Sequence, residues 1–396
     1  MIAPLNQYVR LSLAIIASGT AMASASAAES CAWGMKHASA DGRNLLFLDS
    51  NATYWTTAVS LAAGEAIEIK GTFPDARYMS LVTYDVRGRT IDHLTDRDIV
   101  PDPGSVNPFT SRPVPSSAEL RYSVAVVQNK RPIDEGNRLL AFAAKNPQPI
   151  GTVRITYRIY LPDEASELAD DRLPDIMIIG PDGARKALPR CKAIAGIPGG
   201  ERLEPMLAAG LSRRFSGMER GEWRAFYPDG LGENVDNAYI YSAFDARHGP
   251  AVLIAGRAPL SSTAGSRSES GREQLRYWSF CSARMSTAVI GCLADENVPR
   301  TPDGRYLLLL TAVDGFSETD LTDCGVARLP VARGEPTAVV YRHMLPSSNF
   351  REAIQNIPRG GSVAKLGEYL PEMRYFSSTG ELTDWLKSHC RVAGES

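Results

Sequence analysis

Arg77-Tyr78-Met79-Ser80 and Arg276-Tyr277-Trp278-Ser279 decide the reading of this chain, because the landmarks around one stretch recur around the other. Gly71-Thr-Phe-Pro74 precedes the first and Gly256-Arg-Ala-Pro259 the second. Leu94-Thr-Asp96 and Leu293-Ala-Asp295 follow, each leucine 16 residues beyond its tyrosine, Tyr78 or Tyr277. Arg121-Tyr122 and Arg305-Tyr306 come next, and 35 residues beyond Tyr122 and Tyr306 stand Tyr157-Arg158 and Tyr341-Arg342. Both series end in Leu-Pro, at Leu161-Pro162 and Leu345-Pro346. Upstream, Tyr54 and Tyr239 each lie 17 residues before their glycine. Matched intervals across aromatic and glycine landmarks mark one unit written twice.

Within each copy the pattern is that of strands. Ala-Ile-Glu-Ile-Lys-Gly within 62–73, Arg-Tyr-Ser-Val-Ala-Val-Val at 121–127 and Val-Arg-Ile-Thr-Tyr-Arg-Ile-Tyr-Leu at 153–161 alternate with period two, as half-buried strands do. Arg87-Gly88, Asp102-Pro-Gly104, Asp182-Gly183 and Asp303-Gly304 punctuate them as turns. No strand alternates with long helical stretches in the βαβ manner. The expected fold is therefore mainly β, with two tandem antiparallel β-sandwich repeats of jelly-roll type at 29–191 and 234–346. Residues 192–233 are expected to link them through a helix over 201–214, and 347–396 to form a C-terminal helical annex. Phe350, Ile354 and Ile357, spaced by four and three, predict a helix over 348–357. Ser378-Thr-Gly-Glu381 has capping-box spacing ahead of Leu382, Trp385 and Leu386. The copies differ by insertions, residues 261–271 in the second and the proline-rich run through 101–109 in the first. Loops on a rigid sandwich carry recognition, so both insertions are read as contact surfaces.

Residues 1–28 have the order of a secretory signal peptide, with Arg10 ahead of an apolar run from Leu11 to Ile16 and small residues closing on Ala25-x-Ala27. The expected product is exported, to the periplasm or the surroundings, and no later run approaches the ~20 apolar residues of a membrane span. The formal net charge is −2, with no basic stripe of the kind a nucleic-acid partner would require. Six cysteines in an exported chain favour disulfides. No Cys-x-x-Cys or close histidine pairing marks a metal site, and no cofactor is expected. Many connectivities remain open to six cysteines. Position along the chain favours Cys31 with Cys191 around the first repeat and Cys281 with Cys292 across a hairpin, leaving Cys324 and Cys390. On the chain-entropy estimate the short loop would contribute about 3 kcal/mol and the long one about 5 kcal/mol.

A family resemblance is carried by Arg77-Tyr-Met-Ser-Leu-Val-Thr-Tyr-Asp85, Tyr157-Arg-Ile-Tyr-Leu-Pro-Asp163, Leu275-Arg-Tyr-Trp-Ser-Phe-Cys281, Cys292-Leu-Ala-Asp-Glu296 and Tyr341-Arg-His-Met-Leu-Pro346. Through these the chain resembles a family of uncharacterised exported bacterial proteins. More distantly, through the strands with Ser80 to Asp85 and ending at Pro162, it is similar to the domain of unknown function numbered twelve-fourteen. The resemblance implies a β-sandwich and export; it brings no activity and no catalytic residues.

Polar residues shared by both copies are most simply structural. Asp96 and Asp295, and Arg158 and Arg342, are expected to pair or cap, with the tyrosines buried and their hydroxyls bonded. Residues that differ between copies are the functional candidates. Asp92, His93, Asp96, Asp98 and Asp102 gather four carboxylates besides an imidazole-bearing residue within eleven positions, whereas the second copy has Gly291-Cys292 in place of Asp92-His93. A histidine beside carboxylates suits general-base chemistry, and paired carboxylates suit glycoside or phosphoester cleavage. Trp223, Tyr227, Asn237 and Tyr239 offer rings and amides suited to sugar faces and hydroxyls. Signatures of lipases, zinc proteases, nucleotide hydrolases and dehydrogenases are absent from the sequence. The leading expectation is a binder of a polar small molecule or glycan, with a hydrolase or a structural envelope protein as competing classes; the oligomeric state is left open.

Overall fold

Alternating apolar and polar residues become strands wherever one face can be buried, and this chain does so along most of its length. The computed structural model describes residues 31–38, 44–111, 113–128, 136–143, 151–162, 172–196, 200–228, 230, 232–261, 273–314 and 318–394. The expected leader, and residues 262–271 of the second insertion, lie outside the described residues. In the first half run β1 (Met35–Ala38), β2 (Ala52–Leu61), β3 (Ala66–Thr72), β4 (Ala76–Tyr84), β5 (Thr90–Thr95) and β6 (Arg121–Val127). They are followed by β7 (Arg138–Leu140), β8 (Gly151–Pro162), β9 (Asp175–Ile179), β10 (Arg185–Ala187) and β11 (Ile194–Ala195). Helix α1 (Gly200–Phe215) leads to β12 (Arg224–Phe226), β13 (Asn237–Phe244), β14 (Ala251–Arg257), β15 (Leu275–Ala283), β16 (Val289–Ala294) and β17 (Arg305–Thr311). Then come α2 (Glu318–Asp323), β18 (Val326–Arg328), β19 (Thr337–Pro346), β20 (Glu372–Phe376) and α3 (Thr379–Gly394). No described helix is long and apolar enough to cross a membrane.

The first half forms sheets ordered β11-β1-β2-β8-β4-β5 and β10-β9-β3-β6-β7, and the second forms β12-β13-β19-β15-β16 and β18-β17-β14-β20. Writing β13, β19, β15 and β16 for β2, β8, β4 and β5, and β20, β14, β17 and β18 for β9, β3, β6 and β7, makes the orders coincide. The parallel pairs β6 with β7 and β17 with β18 also correspond, whereas among the described residues the parallel pair β1 with β11 has no counterpart in the second half. In each half one apolar cluster joins both sheets. Trp55, Met79, Leu81 and Tyr157 meet Ile67, Ile69, Tyr122 and Val124 in the first. Trp278, Phe280 and Tyr341 meet Val252, Ile254, Tyr306 and Leu308 in the second. The recurring glycines have a steric reason. Gly71 pairs with Tyr122 and Gly256 with Tyr306, and a Cβ at either would stand 2.5 Å from the tyrosine hydroxyl. A ring lying flat over the neighbouring strand thus fixes Gly at both positions.

Three sequence expectations need correction. Every residue of β4 and of β15 is buried, as are six consecutive residues of β8, so alternation there separates an apolar buried face from a polar buried face. Residues 348–357 do not form the expected helix. Only the 3-10 turn Ile354–Asn356 appears, since Ala353 is extended and Pro358 follows at once. The annex is also not wholly helical: β20 pairs with β14 and completes the sheet, which sequence reasoning missed because its five residues lack a long alternation. Helix α1 matches the expected linker helix to within a residue at each end. Ser378 Oγ accepts from the Glu381 N–H as the capping box requires, while the Glu381 carboxylate accepts from Ser377. All three disulfides favoured by position are formed, Cys31–Cys191, Cys281–Cys292 and Cys324–Cys390.

His343 on β19 shows how the annex is held. Its Nδ1 accepts the Ile354 N–H at 3.2 Å, and the Tyr341 and Phe350 rings flank the imidazole. Burial pushes its pKa from 6.5 down to about 3. The folded state therefore requires a neutral ring, while the unfolded chain takes up a proton below about pH 6.5. The stabilising contribution is complete above that pH and is lost as pH falls toward 3, by up to about 1.4 kcal/mol per pH unit. His343→Gln should remove this part of the acid slope; urea unfolding at pH 7 and pH 4.5 measures it, and an unchanged slope would place the acid sensitivity elsewhere.

Candidate functional site

The polar faces of β4 and β8 meet those of β15 and β19 along a seam between the halves, and the contacts across it are reciprocal. Arg77 donates to Asp295 at 3.1 Å and Arg276 to both oxygens of Asp96 at 3.1 Å. Both pairs are almost wholly buried. Tyr78 donates to Asp236 at 2.5 Å and Tyr277 to Asp49 at 2.9 Å. Arg158 donates through Nη2 to the Gly232 carbonyl, and Arg342 through Nη2 to the Phe47 carbonyl, each at 2.9 Å. In every case the group from one half finds its partner in the other.

Local geometry holds the acceptors in place. The Leu-Pro that closes each series puts Leu161 and Leu345 at φ 44°, where a branched side chain is strained. Their N–H groups donate to the carbonyls of Asn51 and Asp236, at 2.9 and 3.0 Å, and fix the loops ahead of β2 and β13. Within those loops Asp49 Oδ1 accepts the Asn51 N–H, and Asn234 Oδ1 accepts the Asp236 N–H. The acid and the amide have exchanged places between the copies. Counting five residues back from Tyr54 and Tyr239 reaches Asp49 and Asn234, so the repeat interval held the signal that would have found both loops.

Burial pushes the Tyr78 and Tyr277 hydroxyls well above 10, with the adjoining carboxylates acting in the same direction, so both are neutral donors. Burial also raises the Asp96 and Asp295 carboxyls, while their arginines pull the other way. Dehydration offsets much of the attraction in such pairs, which therefore set the relative position of the halves more than they add stability.

The sequence candidates divide sharply. Asp96 is sealed in its pair with Arg276 and also accepts the Met79 N–H. Asp92 accepts from His93 N–H and Leu140 N–H, Asp98 from Thr95, and Asp102 from Ser123. These carboxylates serve separate turns and do not converge. Among the described residues only Asp49, Cys281 and Cys292 bring metal-ligand atom types together, and both sulfurs are in a disulfide. His93 is different. Its Nε2 lies 3.5 Å from Asp236 Oδ1, with the histidine side chain 41% exposed and the aspartate 4%. On β5 it faces Val82, the register that Cys281–Cys292 occupies in the second half.

The aromatic candidates do not form an open platform. Trp223 is buried against Phe280, and Tyr227 donates to the carbonyls of Ile357 and Pro358. Asn237 is buried and donates to the Tyr160 hydroxyl, while the Arg342 guanidinium covers Tyr239. The first insertion is anchored at its centre, where Asn107, Pro108 and Phe109 are buried, while Pro103, Gly104, Thr110 and Ser111 are exposed. Phe109 packs on Phe73 beneath the Arg276 guanidinium, and Asn107 donates to the carbonyls of Asp96 and Ile99.

Arg276→Met should destabilise by about 3–5 kcal/mol, because Asp96 is then left charged and unpaired in a dry seam. Arg276→Met combined with Asp96→Leu should cost less than the two single changes together, with a coupling on the order of 2 kcal/mol. Urea unfolding of the four proteins of this cycle measures it; additive costs would contradict the pairing.

No protein-family model matches the chain, and no curated protein matches it. Solved structures do. An uncharacterised protein of Burkholderia cenocepacia aligns over 77% of this chain and 75% of its own, with a TM-score of 0.51 at 12% identity. A Vibrio parahaemolyticus protein aligns over 84% and 90%, with a TM-score of 0.45 at 12% identity. At this identity the Burkholderia likeness is one of fold.

Proposed function

We propose that the chain is an exported protein built from two copies of one β-sandwich unit, residues 29–191 and 234–346, and that it binds a polar small molecule or glycan over His93 at the seam. Coincident strand orders and reciprocal contacts support duplication. Three disulfides and the lack of a membrane-crossing helix among the described residues are compatible with export.

The observation that carries the binding reading is the broken symmetry at His93. Where the second copy closes its register with a disulfide, the first presents a partly exposed imidazole backed by a buried carboxylate that also engages Tyr78. A ring held this way keeps one edge toward solvent and can exchange hydrogen bonds with hydroxyl groups. The same dyad favours the hydrolase as the second reading, because a carboxylate behind an imidazole orients a general base. In that case His93 and Asp236, rather than Asp92, Asp98 and Asp102, form the centre.

Thermal melts against a panel of glycans and phosphoesters test this. The native protein should be stabilised by at least one member, and His93→Ala should lose that response. Release of product by the native protein but not by His93→Ala would move the chain to the hydrolases. A response that survives His93→Ala would contradict the site, and no response to any member would favour a structural role in the envelope.

A further inference from the structure

Comparison of the two arginines at the seam exposes an unmet demand. In the second half Arg342 Nη1 and Ser279 Oγ both donate to Asp49 Oδ2, the latter at 2.7 Å. Arg342 and Ser279 are direct cross-strand partners, as are Arg158 and Ser80 in the first half. Arg158 Nη2 is placed on the Gly232 carbonyl just as Arg342 Nη2 is placed on Phe47. By the same correspondence the place of Asp49 falls to residue 234, which is asparagine instead of aspartate. Asn234 Oδ1 is engaged by the Asp236 N–H, so Nδ2 takes the place of the Asp49 oxygen that receives Arg342. Among the described residues Arg158 Nη1 and Asn234 Nδ2 are buried and have no acceptor, and Ser80 Oγ lies beside the Tyr78 hydroxyl.

Arg158 is 3% exposed and, among the described residues, takes part in no ion pair; the carbonyls of Gly232 and Glu233 and the Tyr84 hydroxyl are its hydrogen-bond partners, with the Tyr54 and Tyr84 rings against the guanidinium. A guanidinium does not deprotonate, and burying it without a counter-charge is costly. In the first half the acid has moved two residues along the chain, to Asp236. Tyr78 has followed it, and Arg158 has not.

We propose that the first half binds a compact monovalent anion, chloride or a small carboxylate, between Arg158 Nη1 and Asn234 Nδ2, in the position that the Asp49 carboxylate fills in the second. The anion restores to Arg158 the counter-charge that Arg342 receives from the chain itself. The proposed anion and a ligand at His93 would engage different side chains, although Asp236 contacts both His93 and Asn234.

Melting temperatures at constant ionic strength test it, with bulky gluconate exchanged stepwise for chloride in one series and for formate in another. The native protein should gain on the order of a few degrees in a saturating manner. Whichever series responds identifies the anion. Asn234→Asp should melt higher than the native protein in gluconate and lose the response. Indifference of the native protein to both anions, or an equal response from Asn234→Asp, would overturn the site. Should that variant not fold, crystals of the native protein soaked in bromide decide: an anomalous peak between Arg158 and Asn234 supports the site, and none there means that water or a turned amide meets these donors.

Discussion

A guanidinium buried without an acceptor costs more than an ordinary packing contact returns, and Arg77, Arg158, Arg276 and Arg342 all stand buried between the two halves. The seam is arranged around that constraint. Arg77, Arg276 and Arg342 take carboxylates from the opposite half, and Arg158 takes carbonyls from the opposite loop. Each half carries both donors and acceptors, and the charged pairs are matched across the seam. The arrangement is that of an isologous dimer interface within a single chain, where the contact made by one copy is returned by the other.

This explains features that would otherwise be separate oddities. Strands β4 and β15 are buried on both faces because one face builds a core and the other builds the seam. Strain at Leu161 and Leu345 is tolerated because it positions the loops that receive Tyr277 and Tyr78. Function is then sought where the copies no longer agree. His93 stands against Cys292, Asn234 against Asp49 and Asp236 against Asn51, and His93 of the first half meets the Asn234–Asp236 loop of the second.

The mainly β character and the helix over 201–214 were legible in the sequence because each is written in local pattern, and position along the chain favoured the three disulfides that form. The expectation that Asp96 and Asp295 pair with arginines held, but not that the partners lie in opposite halves, because spacing reports what recurs and not what it faces. Asp49 and the seam role of Asp236 went unread for a related reason: acid and amide are exchanged between positions 49 and 234, and between 51 and 236, so no identity links them. Trp223 and Tyr239 read as a sugar platform because burial of a ring depends on the sheet laid over it, which local sequence does not encode. Residues 348–357 had helical spacing, yet Pro358 and the bond to His343 prevailed over it.

The central claim is that the two halves cannot dispense with one another, and calorimetric unfolding tests it most directly. If the reciprocal pairs weld the halves together, the disulfide-intact protein should melt in one transition whose calorimetric enthalpy equals its van't Hoff enthalpy. Two transitions, or a calorimetric enthalpy near twice the van't Hoff value, would show halves that unfold independently and would contradict the account.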